Sequence, residues 1–269
     1  MSNQRLTALV TGASAGIGKS FADVFAKYGF NLILTARRED RLREIGDELA
    51  RKHHVDVSVI AADLADPAAP ARLVSDIAAR GLRVDALVNN AGYAVPGGYA
   101  ASKWADQRDF IQVLTTAPCE LAHALLPGMI ERRHGYIVNI ASLAGILPGS
   151  AGGTLYAASK SFMIQFSRSL NMEVQAHNVN VTAVCPGFTY SEFHDVTGTR
   201  AQVSRMPKFM WMTADAVAEE GYAAVMRNRP VWVNGRVNRG IATLAKYLPD
   251  SVAFSISTAF ALREPMAAE

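Results

Sequence analysis

The chain reads as a doubly wound α/β protein: about seven parallel strands in one sheet, flanked by helices, with extra helices at the C-terminal end. Three observations predict this. Short apolar or β-branched runs alternate with longer helical stretches through most of the 269 residues, as strand–helix repetition in a parallel sheet requires. Runs such as Ala8-Leu9-Val10-Thr11, Ala86-Leu87-Val88-Asn89 and Val181-Thr182-Ala183-Val184 lack polar alternation, which fits strands covered on both faces. A glycine cluster, Gly12 to Gly18, follows the first run directly.

The predicted strands are Leu6–Thr11, Asn31–Thr35, Asp56–Ala61, Ala86–Asn89, Tyr136–Ala141, Asn180–Cys185 and Val231–Val233. Helical patterns fall near 17–28, 39–53, 68–80, 107–132, 155–177 and 213–227. The result is a Rossmann-like sheet. No linker rich in Pro, Gly or Ser divides the chain and no repeat appears, so residues 1–269 form a single domain. Two stretches break the rhythm. Residues 188–212 are irregular and carry Phe188, Phe193, Met206, Phe209, Met210 and Trp211, the place for a substrate lid after a strand's C-terminal end. Residues 235–262 read as a C-terminal extension of two helices.

Composition excludes several function classes. Half the residues are hydrophobic and 19% charged, with a net charge of +3, so a sizeable core is available. The cations are scattered, without the basic run that tracks nucleic acid. The six histidines show no metal-ligand spacing. Cys119 and Cys185 are the only cysteines and read as buried thiols in a reducing, cytoplasmic setting. No apolar segment precedes the first strand, and no stretch reaches the length of a membrane span. The apolar run 251–262 is too short for one and suits a pocket cap or a subunit contact.

Thr11-Gly12-Ala13-Ser14-Ala15-Gly16-Ile17-Gly18 sits where the first strand passes into the first helix. Glycines permit a tight turn and close backbone approach to a pyrophosphate, and the helix start offers unpaired N–H groups. Gly12, Ser14, Gly16, Ile17 and Gly18 are therefore the candidate phosphate contacts. The second strand ends at Thr35, followed by Ala36-Arg37-Arg38. An acidic residue there would select the ribose 2′-hydroxyl of NAD. Arg37 and Arg38 instead suit a 2′-phosphate, predicting NADP(H) over NAD(H).

Tyr156 and Lys160 lie four residues apart, on one helical face. An adjacent ammonium lowers a phenol pKa from its ordinary value of about 10, which predicts a tyrosine able to exchange a proton near neutral pH. Ser142 lies fourteen residues upstream of the tyrosine.

Together these pieces resemble the short-chain dehydrogenase/reductase family over about residues 5–235. The matching motifs are Thr11-Gly12-x-x-x-Gly16-x-Gly18, Asp63-Leu64, Asn89-Asn90-Ala91-Gly92, Ser142, Tyr156-x-x-x-Lys160 and Pro186-Gly187. The resemblance implies an oxidoreductase using NAD(P)(H) on a small-molecule ketone, aldehyde or secondary alcohol. It makes Ser142, Tyr156 and Lys160 catalytic. Ser142 would hydrogen-bond the substrate carbonyl, Tyr156 would deliver the proton, and Lys160 would hold the nicotinamide ribose. Asp63 would bind the adenine amino group with Leu64 beside it; Asn90, Ala91 and Gly92 would line the adenosine side and steady the central sheet. Pro186 and Gly187 would wall the nicotinamide, and Thr189 would contact its carboxamide. Relatives pair through the two long helices, here about 107–132 and 155–177, implying a homodimer or homotetramer.

Two features depart from the family pattern. Leu114 stands where the family places an asparagine that retains a water near the lysine. Leucine cannot hydrogen-bond, so slower proton relay is expected unless Thr115 or Thr116 compensates. After Val231-Trp232-Val233-Asn234-Gly235-Arg236 the chain continues into helices rather than closing. The aromatic and Met residues of 206–212 point to an apolar substrate. The alternative from another class is a non-enzymatic NADP(H)-binding sensor or scaffold. A nucleotide-sugar epimerase would bring G-x-x-G-x-x-G and a longer C-terminal domain, and neither is present.

Overall fold

The computed structural model describes residues 5–149, 153–190, 207–249, 251–255 and 258. Seven parallel strands run in the order β3-β2-β1-β4-β5-β6-β9. They are β1 (Thr7–Thr11), β2 (Asn31–Thr35), β3 (Val57–Val59), β4 (Ala86–Asn89), β5 (Gly135–Ile140), β6 (Val179–Cys185) and β9 (Val231–Val233). The helices are α1 (Gly16–Lys27), α2 (Glu39–His53), α3 (Ala69–Ala79), α4 (Trp104–Ile111), α5 (Ala117–Arg132), α6 (Thr154–Val174), α7 (Ala214–Met226) and α8 (Arg236–Tyr247).

Side-chain direction still alternates along each strand, but both directions are apolar. Ala8 and Val10 of β1, Leu32 and Leu34 of β2, and Ala86 and Val88 of β4 point into a core with Phe21, Phe25, Leu42, Leu49, Val217 and Val225. Leu9, Ile33 and Leu87 point the other way, into a core with Leu73, Ile77, Leu121, Met129, Leu170 and Val174. Helices α1, α2 and α7 thus cover one face, and α3, α5 and α6 the other. Truncating one of these large side chains to alanine costs about 2–5 kcal/mol.

Several details differ from the sequence expectation. Strand β3 is three residues rather than six; as the sheet's edge it has a partner on one side only. The guanidinium of Arg80 donates to the outer carbonyl of Val59 at 3.1 Å. Helices α4 and α5 form one rod broken by a π-helical turn at Gln112–Thr116. That rod, Trp104–Arg132, does have the length and apolarity of a membrane span, contrary to expectation. One side of it packs into the core, where Phe110, Val113, Leu114, Ala117, Leu121, Ala122 and Met129 are all buried. Within the 188–212 stretch, β7 (Thr189–Tyr190) and β8 (Met212–Thr213) form a parallel pair that the sequence did not suggest; residues 191–206 of the expected lid lie outside the described residues. Of the two helices expected in the C-terminal extension, α8 and a second helical stretch at 251–255 are described.

Strand order reverses between β1 and β4, which open toward β2 and β5 respectively. In a doubly wound sheet the crevice at the strands' C-terminal ends beside this switch is where ligands bind.

Candidate active site

The glycine turn is fixed by β4. Thr11 Oγ1 donates to Val88 O at 3.3 Å and accepts from the N–H groups of Asn90 (2.9 Å) and Ala91 (3.0 Å). Asn90 Nδ2 donates to Thr11 O (2.9 Å) and Gly12 O (3.2 Å). The Asn90 amide therefore fastens the turn itself, which accords with the sheet-steadying role that the resemblance implies for it beside its place on the adenosine side. The glycines are required by space. A Cβ on Gly12, whose φ is +66°, would stand 2.8 Å from Asn90 Nδ2, and one on Gly18 would stand 2.3 Å from Gly12 O. Helix α1 then starts at Gly16 with no side-chain cap and no acidic residue in its first turn. Bare backbone beside unpaired helix-start amides fits a pyrophosphate.

The two arginines part company. Arg38, at the start of α2, donates to Ser14 Oγ of the turn at 3.1 Å. Arg37 is exposed beside it in the chain. A cation held at the turn fits a phosphorylated adenosine. Asp63 is exposed, with Oδ1 accepting from Ala65 N at 3.0 Å. Leu64 and Ala91 join the apolar cluster of Phe110 and Leu114.

At the other end of the crevice, β5 leads into Ser142, in extended conformation (φ −166°, ψ 156°), and its Oγ accepts from Ala144 N at 3.1 Å. The turn Leu143–Gly145 packs backbone-to-backbone on α6: a Cβ on Gly145 would stand 2.6 Å from the Lys160 carbonyl carbon. That contact brings Ser142 to Tyr156, and the two side chains are hydrogen-bonded. Lys160 is 7% exposed, donates to Ile140 O at 2.7 Å, and holds Nζ 5.7 Å from the Tyr156 ring centroid. The three catalytic candidates therefore converge.

Their electrostatics correct one expectation. Burial pushes the Tyr156 phenol above its ordinary value, and the hydrogen bond with Ser142 offsets only part of this. Burial also lowers Lys160, to about 8. Helical spacing brings phenol and ammonium close, but the ammonium is directed to Ile140 O and desolvation outweighs its pull. Cys185, buried at the end of β6, is pushed up to about 12, also by desolvation.

The strip after β6 completes the wall. Pro186 O accepts from Leu143 N at 2.8 Å, tying the strip to the Ser142 turn. Thr189 is buried and donates Oγ1–H to Gly187 O at 3.1 Å. Its oxygen keeps acceptor capacity for an amide N–H. Beside it, Trp211 stacks on Tyr190 (centroids 4.7 Å, 23°) and tilts against Phe188 (5.5 Å), an apolar cluster at the crevice mouth. Behind the wall, buried Asn89 Nδ2 donates to Asn139 Oδ1 (2.9 Å), and Asn139 Nδ2 to Ser167 Oγ (2.9 Å), linking β4, β5 and α6. Leu114 is buried in a cluster that includes Leu155 and Tyr156. Thr116 lines an outer groove with Trp104, Arg108 and Gln112 instead. Among the described residues no group of His, Cys, Asp and Glu could hold a metal.

Comparison with known proteins agrees with this geometry. The profile of the short chain dehydrogenase family matches residues 6–201. The NADP-dependent 3-hydroxy acid dehydrogenase YdfG of Escherichia coli K12 is 38% identical over 192 residues, spanning 70% of this chain and 75% of its own. A short-chain dehydrogenase from Sphingobium yanoikuyae in complex with NADPH superposes with a TM-score of 0.79 at 29% identity, over 98% of both chains. A bulky-bulky ketone specific alcohol dehydrogenase from Comamonas testosteroni superposes with a TM-score of 0.74 at 27% identity, over 91% of this chain and 95% of its own.

Proposed function

Because the chain belongs to the short-chain dehydrogenase family, we propose that it is an NADP(H)-dependent oxidoreductase reducing the carbonyl of an apolar ketone or aldehyde. The observation that carries this reading is the convergence of Ser142, Tyr156 and Lys160 at one end of a crevice whose other end holds the glycine turn and Arg38. Gly12, Ser14, Gly16, Ile17 and Gly18 would hold the pyrophosphate. Arg37 and Arg38 would take the 2′-phosphate; Asp63, Ala91 and Gly92 the adenosine; Lys160 the nicotinamide ribose; and Pro186, Gly187 and Thr189 the nicotinamide. When bound, NADPH supplies the hydride.

The protein's own groups manage the proton. Ser142 donates a hydrogen bond to the substrate carbonyl oxygen, orienting it and stabilising the charge that develops there. Tyr156 passes its phenolic proton to that oxygen, giving the alcohol. A phenol held above its ordinary value stays protonated at neutral pH, the state needed for reduction; oxidation needs the phenolate and is favoured only in alkali. Phe188, Tyr190 and Trp211 present aromatic surface to the substrate's apolar part. The buried hydrocarbon of Leu114 beside Tyr156 slows proton resupply from that side. Assembly through α4–α5 and α6 is part of the same reading, with Phe162 and Met172 exposed on α6.

The test is NADPH consumption with ketones graded from compact 3-oxo acids to those with apolar bulk on both sides. Tyr156→Phe should lower kcat by about 100-fold or more. Undiminished turnover in that variant would overturn the assignment. The sensor reading is not favoured, since it has no use for three converging proton-handling groups.

A further inference from the structure

Helix α8 lies beyond residue 201, where the family match ends, yet one of its side chains reaches the nicotinamide wall. Asn238 is the only fully buried residue of α8, 3% exposed. Its Nδ2 donates to Asn234 O at 2.8 Å and lies 3.9 Å from Met212 Sδ. A Cβ placed on Gly187 would stand 2.6 Å from both Nδ2 and Oδ1 of Asn238. Gly187 is not among the positive-φ glycines, so its backbone does not demand glycine. What it lacks is room, because the Asn238 carboxamide occupies the volume a side chain would take.

The surrounding bonds hold that contact in place. After β9, Asn234 N donates to Cys185 O (3.2 Å) and Asn234 Nδ2 to Val217 O (3.2 Å). Gly235, at φ +79°, makes the turn into α8, and its N–H donates to Glu220 Oε2 at 3.1 Å. On the opposite side, Pro186 O takes the Leu143 N–H of the Ser142 turn. The strip from Cys185 to Gly187 is thus pinned between the Ser142 turn and Asn238.

We propose that Asn238 is a positioning residue: by filling the space against Gly187 it sets the height of the wall on which the nicotinamide rests, relative to Ser142 and Tyr156. The inference rests on the oxidoreductase reading above. The residues assigned above to the adenosine and phosphates follow β1, β2, β3 and β4, and none lies on α8. Loss of Asn238 should therefore loosen the reacting end of the cofactor without releasing it.

The experiment compares the full wild-type chain with Asn238→Ala by NADPH titration, emission of bound NADPH and carbonyl turnover. The expected result is an NADPH Kd within roughly threefold of wild type. Bound-NADPH emission should shift toward that of the free cofactor, and kcat should fall roughly 10–100-fold. Gly187→Ala alone should shift emission in the same sense by pressing on the carboxamide, and remains readable if Asn238→Ala does not fold. The double variant should recover part of that loss, because the new methyl enters the vacated space. Unchanged emission in either single variant, or simple addition of the two losses, would overturn the proposal. If wild type binds NADPH but reduces no carbonyl, the oxidoreductase reading fails, while emission still judges Asn238.

Discussion

Glycines at both ends of this crevice are crowded by asparagine side chains, and the two ends differ in where the asparagine comes from. At the phosphate end, Gly12 faces Asn90, which follows the neighbouring strand β4 and bonds to the turn's backbone. At the nicotinamide end, Gly187 faces Asn238, carried in by a helix outside the family-matched segment. The first pairing is built into adjacent strands, so any change to it disturbs the sheet. The second is delegated to an appended element, so the reacting end can diverge while the phosphate end stays fixed.

Substitutions can break that contrast, the harshest first. In Gly18→Ala the methyl meets Gly12 O at 2.3 Å and Asn90 Nδ2 at 2.4 Å, and neither can withdraw without opening the turn. A loss of about 3 kcal/mol is expected, a Tm drop of roughly 6–12 °C for a chain this size, with no measurable NADPH binding. An unchanged Tm would refute the steric account of this turn. Asn90→Ala removes the donor to Thr11 O and Gly12 O, costing about 1–3 kcal/mol. NADPH Kd should rise about tenfold while kcat at saturation holds, the reverse of the split expected for Asn238→Ala. Titrations and saturation kinetics on both variants check it.

A milder probe uses pH. Lys160 is lowered from 10.5 to about 8 by burial, so the folded chain binds fewer protons than the unfolded chain between those values. The penalty for burying the ammonium is fully present below pH 8 and fades as pH rises toward 10.5. Lys160→Met should remove this rise in stability with pH while raising the KM for NADPH, as thermal melts and kinetics across the window would show. In the wild type, KM for NADPH should climb above about pH 8 as the charge is lost. The smallest effect is expected for Gly92→Ala, whose Cβ would meet only ordinary contacts, the nearest Leu114 Cγ at 3.6 Å. A Tm shift under about 2 °C is expected; a larger one would mean that the phosphate end constrains more of the Asn89–Gly92 segment than the turn alone.

Seven strands were legible because burial on both faces leaves an apolar run in the sequence; β1 and β5 ran one residue too far, and β3 three, its outer flank having no partner strand. The Tyr156–Lys160 pair was legible through spacing and Ser142 through the family resemblance; the structure brings the three together, and Ser14 and Arg38 meet. Spacing could not give the direction of the Tyr156 shift: proximity to Lys160 is local, whereas desolvation depends on how α6, β5 and the Ser142 turn close together. Asn238 was missed because its contact with Gly187 spans distant parts of the chain and leaves no periodic trace. The β7–β8 pair was missed because two-residue strands carry no pattern. Leu114 was noticed as a departure, but its place among Phe110, Leu155 and Tyr156 comes only from tertiary packing.

The short strand β3 leaves one flank of the seven-stranded sheet open. Exposed strand flanks recruit other chains through backbone pairing. The Arg80 guanidinium on Val59 O occupies an acceptor that an incoming strand would need and sets a positive charge in its path. The bond therefore puts an obstacle to backbone pairing on the flank that β3 leaves without a partner strand.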